Sequence, residues 1–158
     1  MERPAVSIKH SPNPADDQRE EPREAVARAA STRQNIAGTS PFEPIIGFSR
    51  AVRIGNCVHV AGTGPVGAEE LDAAGQTRHT LEIIRTALAK AGARMEDVVR
   101  TRMFLTRVED WEAVGKAHGE SFANIRPAAT MVVVAQLLNP KWLVEIEADA
   151  VIADRQES

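Results

Sequence analysis

Gly62, Gly64 and Gly67 in VAGTGPVGAEEL, Val60 to Leu71, have the G-x-G-x-x-G spacing with which a glycine loop brings backbone amides against a pyrophosphate. That chemistry needs a helix to begin within the glycine run, so that its N-terminal amides face the phosphate. Here Pro65 interrupts the run, AEELDAAG follows it, and helical periodicity resumes only near Gln76. The preceding strand also reads as part of a hairpin, which does not open a parallel crossover. The expectation is a loop whose glycines permit tight backbone geometry or close approach of a ligand. His59, His79 and His118 lack ligand spacing among themselves, so no metal site is expected. GFSRA, Gly47 to Ala51, lacks the last glycine of a nucleophile elbow and precedes a strand, which excludes a hydrolase triad built on Ser49. Cys57, the single cysteine, reads as a small strand residue.

The elements that must position any site occupy one domain. A chain of 158 residues, 43% hydrophobic and 26% charged, buries one core. Its net charge of -3 and the lack of any cluster of five Lys or Arg residues argue against nucleic acid as the main partner. No signal-like run follows Met1 and no apolar stretch is long enough for a bilayer, so a soluble, reducing, cytoplasmic setting without membrane contact is expected. Residues 1–40 hold four of the nine prolines and few large apolar side chains, and they read as a disordered tail. The folded domain is expected over residues 41–154.

Within it, hydrophobic periods of two and 3.6 alternate. Arg50 to Ile54 and Cys57 to Gly62 are strands around a Gly55-Asn56 turn. Gln76 to Gly92 is a helix with Leu81, Ile84, Leu88 and Ala91 on one face. Val98 to Thr106 is a strand, and Glu109 to Ile125 a second helix presenting Trp111, Val114, His118 and Phe122. Thr130 to Leu137 and Trp142 to Ile152 complete the order ββαβαββ. In the third strand Arg100, Arg102 and Phe104 share one face, opposite Val99, Thr101, Met103 and Leu105. In the last, Glu145, Glu147 and Asp149 oppose Val144, Ile146 and Ala148. If these strands are neighbours, the arginines neutralise the acidic row. His118 falls on the apolar side of its helix, as either a hydrogen-bonded core histidine or a catalytic one.

GFSRAVRIGNCVHVAGTGPV, QTRHTLEIIRTALAKAGARMEDVVRTRMFLTRVEDWEAV, RPAATMVVVAQL and VEIEADAVI, spanning about Phe42 to Ile152, together resemble the Rid family, the YjgF-like reactive-intermediate deaminases. The resemblance implies an α+β, chorismate-mutase-like subunit with one mixed sheet backed by two helices. It further implies a homotrimer with small-molecule clefts between subunits, and hydrolysis of imines and enamines to 2-keto acids and ammonia without metal or organic cofactor. Gly62 would line the cleft through its backbone, and Glu145 matches a family acid near it. The family's carboxylate-gripping arginine corresponds to Ala129 in PAAT, its tyrosine to Phe48, the serine before the cleft glycine to Ala61, its asparagine to Gly115 and its cysteine to Met131. A carboxylate held in the family manner is therefore expected to bind weakly. Arg102 or Arg126 are the candidates to replace the missing cation, although Arg126 stands about 10 Å from Ala129 along an extended chain and on the opposite face. The readings that result are a hydrolase of altered specificity, using Glu145, Arg102 and His118, and a non-catalytic metabolite-binding or regulatory trimer. Ribonuclease activity is disfavoured by the charge.

Overall fold

The structure, a computed structural model, describes residues 32–153. Its strands are β1 (Arg33–Ile36), β2 (Ala51–Ile54), β3 (Cys57–Thr63), β4 (Val98–Leu105), β5 (Ala128–Val133) and β6 (Val144–Val151). Helix α1 (Ala73–Lys90) joins β3 to β4, and α2 (Trp111–Phe122) joins β4 to β5. The expected order ββαβαββ runs from β2 onward, and one further strand precedes it. Arg33–Ile36 falls within the segment that composition assigns to a tail, yet it pairs antiparallel with β2. Only Ile36 of the four is buried, so β1 is held largely by backbone hydrogen bonds that composition does not encode. The rest of the expected tail, residues 1–31, lies outside the described residues.

The six strands form one sheet in the order β1-β2-β3-β6-β4-β5. Every neighbouring pair is antiparallel except β4 and β5, which are parallel because α2 crosses between them. The β2–β3 turn gives Gly55 a φ of 59° while Asn56 keeps an ordinary one; glycine at the first central position is what this tight hairpin requires. Among the described residues, no helix is long and apolar enough to cross a membrane.

Alternation decides which face of each strand is covered. Val144, Ile146, Ala148 and Ala150 of β6 and Thr101, Met103 and Leu105 of β4 are buried, while the residues between them are partly exposed. One departure is Val99, which the sequence pattern sets beside Thr101 but which is 47% exposed. The β4–β6 register shifts between Val98 and Arg100, and this bulge turns Val98 inward in its place. The other is Trp111, expected on the buried side of α2 and found 56% exposed. The buried stripe of that helix is Val114, Ala117 and Phe122.

Helix α1 begins three residues earlier than its apolar period suggests, because the Asp72 side chain accepts a hydrogen bond from Gly75 N at 2.7 Å and caps the first turn. Buried Gln76 then ties two loops together. Its Nε2 donates to the carbonyls of Glu69, Leu71 and Lys141, and its Oε1 accepts from Leu143 N at 2.8 Å. A buried amide satisfied on both ends fixes its surroundings, here the entry into β6 and therefore the place of Trp142 and Glu145.

Candidate active site

The three glycines of the opening motif answer three separate local constraints. At Gly62 an added Cβ would run into the Glu145 carboxylate. At Gly64 it would run into the Trp142 indole. Gly67 has a φ of 85°, the left-handed region that other residues avoid. The glycines thus let a carboxyl and an aromatic ring of β6 and its approach lie directly against the end of β3. The β3–β6 register slips between Val60 and Thr63, so Ala61 and Gly62 together oppose Glu147 of β6, and the Glu145 carboxylate lies against Gly62 at this bulge.

Glu145, Gly62, Gly64 and Trp142 line a cavity of about 640 Å³ with Phe42, Phe48 and Arg50. Its outer wall is the segment leading into β2, where Glu43 accepts from Gly38 N at 2.9 Å and folds the chain back over the opening. Helix α1 contributes Ile83 and Ala87. In this setting burial pushes the Glu145 carboxyl above the ordinary carboxylate value; Glu147 on the same face pushes it further, and Arg50 offsets part of that. Arg50 Nη1 donates to Gly62 O at 2.9 Å and Thr63 Oγ1 at 2.8 Å. Burial lowers the proton affinity of its guanidinium, with Glu43 and Glu145 restoring part. A carboxyl that keeps its proton to higher pH than usual, set in an apolar cleft, is suited to giving and taking protons.

The other sequence candidates are distributed over the sheet. Phe48 lines this cavity and also a second one of about 390 Å³, where Ala61, Arg102, Glu147, Asp149 and His59 meet on the face away from the helices. Strands β4 and β6 are indeed neighbours, with Arg102 opposite Glu147. Arg102 reaches Glu147 at 3.2 Å and Asp149 at 3.3 Å, and His59 reaches Asp149 at 2.8 Å. Arg102 thus neutralises Glu147 and Asp149 and is committed to them, while Glu145, the third acid of the row, forms no ion pair with it. Arg126 is exposed, has a φ of 54°, and turns back to donate to Ala123 O at 3.3 Å. Gly115, Ala129 and Met131 lie at the β5 end: Met131 is the nearest side chain over Gly115, and Ala129 is exposed opposite Thr101. None of the three lines the cavity with Glu145.

His118 sits between α2 and β4. Its Nε2 meets Thr101 Oγ1 at 3.0 Å, its ring packs against Phe122 with centroids 4.5 Å apart, and burial holds the imidazole toward its neutral form. Thr101 is fully buried. His118→Leu is expected to destabilise the fold by about 1–3 kcal/mol by stranding the Thr101 hydroxyl, while ligand affinity in the Glu145 cleft stays unchanged. Thermal denaturation beside calorimetric titration checks both; a weakened ligand with an unaltered melting temperature would make His118 part of the site.

Sequence reasoning missed Arg50 and Trp142. Arg50 directly precedes β2, and pairing brings it beside Gly62 through the Ala61 N to Arg50 O bond of 3.0 Å. The only sequence signal was a cation two residues after Phe48. Among the described residues, no group of three or more His, Cys, Asp or Glu side chains is arranged to hold a metal ion.

The family profile described as Endoribonuclease L-PSP matches residues 38–152. A protein of Acinetobacter baylyi named 3-aminoacrylate deaminase RutC is 36% identical over 118 residues, which is 72% of this chain and 91% of that one. A RutC family protein of Pyrococcus abyssi is 34% identical over 114 residues, 68% of this chain and 88% of its own. The crystal structure of a YjgF/YER057c/UK114 family member from Mycobacterium tuberculosis superimposes with a TM-score of 0.72 at 48% identity, covering 77% of this chain and all 100% of the other.

Proposed function

The chain belongs to the Endoribonuclease L-PSP family, that of the YjgF and Rid proteins, and shares its chorismate-mutase-like fold; on that footing we propose that it hydrolyses a small imine or enamine in the Glu145 cleft, with a specificity altered from that of its relatives. One observation carries the reading: a proton-retaining carboxyl set against the Gly62 backbone inside a largely apolar cavity. Glu145, once ionised, takes a proton from water as the water oxygen bonds to the imine carbon and the C=N π electrons move to nitrogen. It gives that proton to nitrogen, forming a carbinolamine; the hydroxyl proton of the carbinolamine then passes through Glu145 to the amino group as the C–N bond breaks, so that ammonia leaves and the carbonyl forms. An enamine first takes a proton at carbon from the protonated form. The relative named for 3-aminoacrylate supports this reaction class.

The assembly proposed is a homotrimer in which a second subunit brings its β5 end to the Glu145 cleft. Two features support it. Val132 and Val133 of edge strand β5 are 43% and 51% exposed, and Phe42, Ile46 and Leu138 at the cleft rim are 56%, 68% and 95% exposed. Apolar surface of that kind on both sides favours association. A non-catalytic metabolite-binding trimer is the second reading, favoured by the small or apolar residues at Ala61, Gly115, Ala129 and Met131.

Turnover separates the two. The full chain is mixed with 2-aminoacrylate, 3-aminoacrylate and larger 2-imino acids generated in the assay, and ammonia release is followed against the uncatalysed rate. Saturable acceleration for at least one is expected. None for any of them, with a trimer by light scattering, would give the cleft to the second reading.

A further inference from the structure

The Glu145 cavity contains a cation with unused binding capacity. Arg50 spends Nη1 on Gly62 O and Thr63 Oγ1, while Nε and Nη2 donate to no residue among those described. Glu145 and Arg50 feel each other's charge but form no ion pair, and the Glu43 carboxylate is turned to Gly38 N. The guanidinium is thus half-buried, with Nη1 anchored, Gly38 packed beside Nε and the side chain lining the cavity. An anion arriving at Nη2 would restore the solvation that burial removed and form a charge-assisted hydrogen bond. The other cation lining the cavity, Lys90, is exposed in the last turn of α1, and His79 is engaged with Val66 O at 3.0 Å.

We infer that Arg50 receives the carboxylate of the substrate and that the walls made by Phe48, Ile83 and Trp142 receive an aromatic or long aliphatic tail. Which end of the molecule reacts rests on the hydrolytic reading above; recognition by Arg50 and the walls does not. Size supports the tail: a cavity of about 640 Å³ lies within the range of roughly 300–1,000 Å³ that holds drug-sized ligands, far more than a three-carbon acid fills. The substrate class is then a 2-imino or 2-enamino acid with a bulky apolar side chain. Arg50, anchored to the bulge that Glu145 abuts, puts the carbon next to the carboxylate beside the acid.

Calorimetric titration of the full chain with phenylpyruvate, phenylpyruvamide and pyruvate tests this. Phenylpyruvate is expected to bind at least about tenfold more tightly than its amide, for the lost charge-assisted contact, and at least about tenfold more tightly than pyruvate, for the lost apolar burial. Arg50→Gln should collapse the carboxylate-to-amide ratio to below about threefold, while the phenyl-to-methyl ratio survives, because only the charge-assisted contact is removed. Lys90→Gln should leave both ratios. Should Arg50→Gln unfold through loss of its contacts with Gly62 and Thr63, Arg50→Lys, which keeps charge but not the planar fork, is expected to reduce the first ratio at least about threefold. A ratio unchanged in a folded Arg50 variant, one abolished by Lys90→Gln, or no preference in the unsubstituted protein overturns the inference. Imine turnover is read separately: preference without turnover removes the hydrolytic reading and keeps Arg50, whereas turnover without preference does the reverse.

Discussion

Glu145→Gln is expected to reduce imine turnover about 10²- to 10⁴-fold, the usual contribution of a positioned acid or base, while the protein stays folded and still binds 2-keto acids. Glutamine keeps the shape against Gly62 but can neither give nor take the proton. Stability gives the control. Because the folded carboxyl titrates above the ordinary 4.5, its ionised form is disfavoured in the native state. The resulting destabilisation is absent below the unfolded value, grows as pH rises through it, and is complete above the folded value. Glu145→Gln should therefore be no less stable than the parent at neutral pH, and the difference should vanish in acid. In the parent, kcat/KM for an enamine, which must first accept a proton, should fall as pH rises through the raised Glu145 value. Arg102→Ala, which leaves Glu147 without its cation, should move that inflection to higher pH. A pH profile unaffected by either substitution, or turnover retained in Glu145→Gln, would remove this carboxyl from the chemistry.

Ile146→Ala should produce the largest loss of stability, about 2–5 kcal/mol, from a total that for a domain of this kind is about 5–15 kcal/mol. Ile146 is fully buried at the centre of β6, opposite Thr63 on one side and Met103 on the other. Its truncation leaves a void under the same stretch of strand that carries Glu145 and Glu147. The site should suffer with the core: a carboxyl displaced by about 1 Å costs on the order of a hundredfold in rate. Urea denaturation at fixed protein concentration, with an unchanged slope, gives the stability directly. A loss under about 1 kcal/mol would mean that the sheet collapses onto the vacancy, contrary to the close packing expected of such interiors.

Legibility in the sequence followed the range of the forces involved. Strands and helices from β2 onward were readable because their side chains alternate at two or 3.6 residues, a property of each segment alone. So was the pairing of Glu147 and Asp149 with Arg102, once β4 and β6 were set side by side, while Glu145 of the same row stays outside it. Strand β1 was not readable, since three of its four residues are exposed and it is defined by the hydrogen bonds of its partner. Val99 and Trp111 were misassigned because a bulge in the first case and a shift of the helix stripe in the second are settled by neighbours across the layer.

Sequence alone determined the order of elements, the two-faced character of β4 and β6, the failure of Gly62, Gly64 and Gly67 as a dinucleotide loop, and membership of a recognisable family through blocks kept in order. What the glycines are for, and which groups share the cleft, was decided only by tertiary structure. Gly62 and Glu145 are remote in the chain and meet because β3 pairs with β6 and bulges at Ala61 and Gly62, where the Glu145 carboxylate lies. Arg50 comes to the same point by pairing across β2 and β3. Conversely, Arg102 is drawn away from the cleft by the carboxylates beside it, and Gly115, Ala129 and Met131 are left at the far end of the sheet. Local periodicity records which face a residue turns to the core. The meeting of charges from separate strands depends on register, bulges and burial, which exist only once the whole sheet has formed.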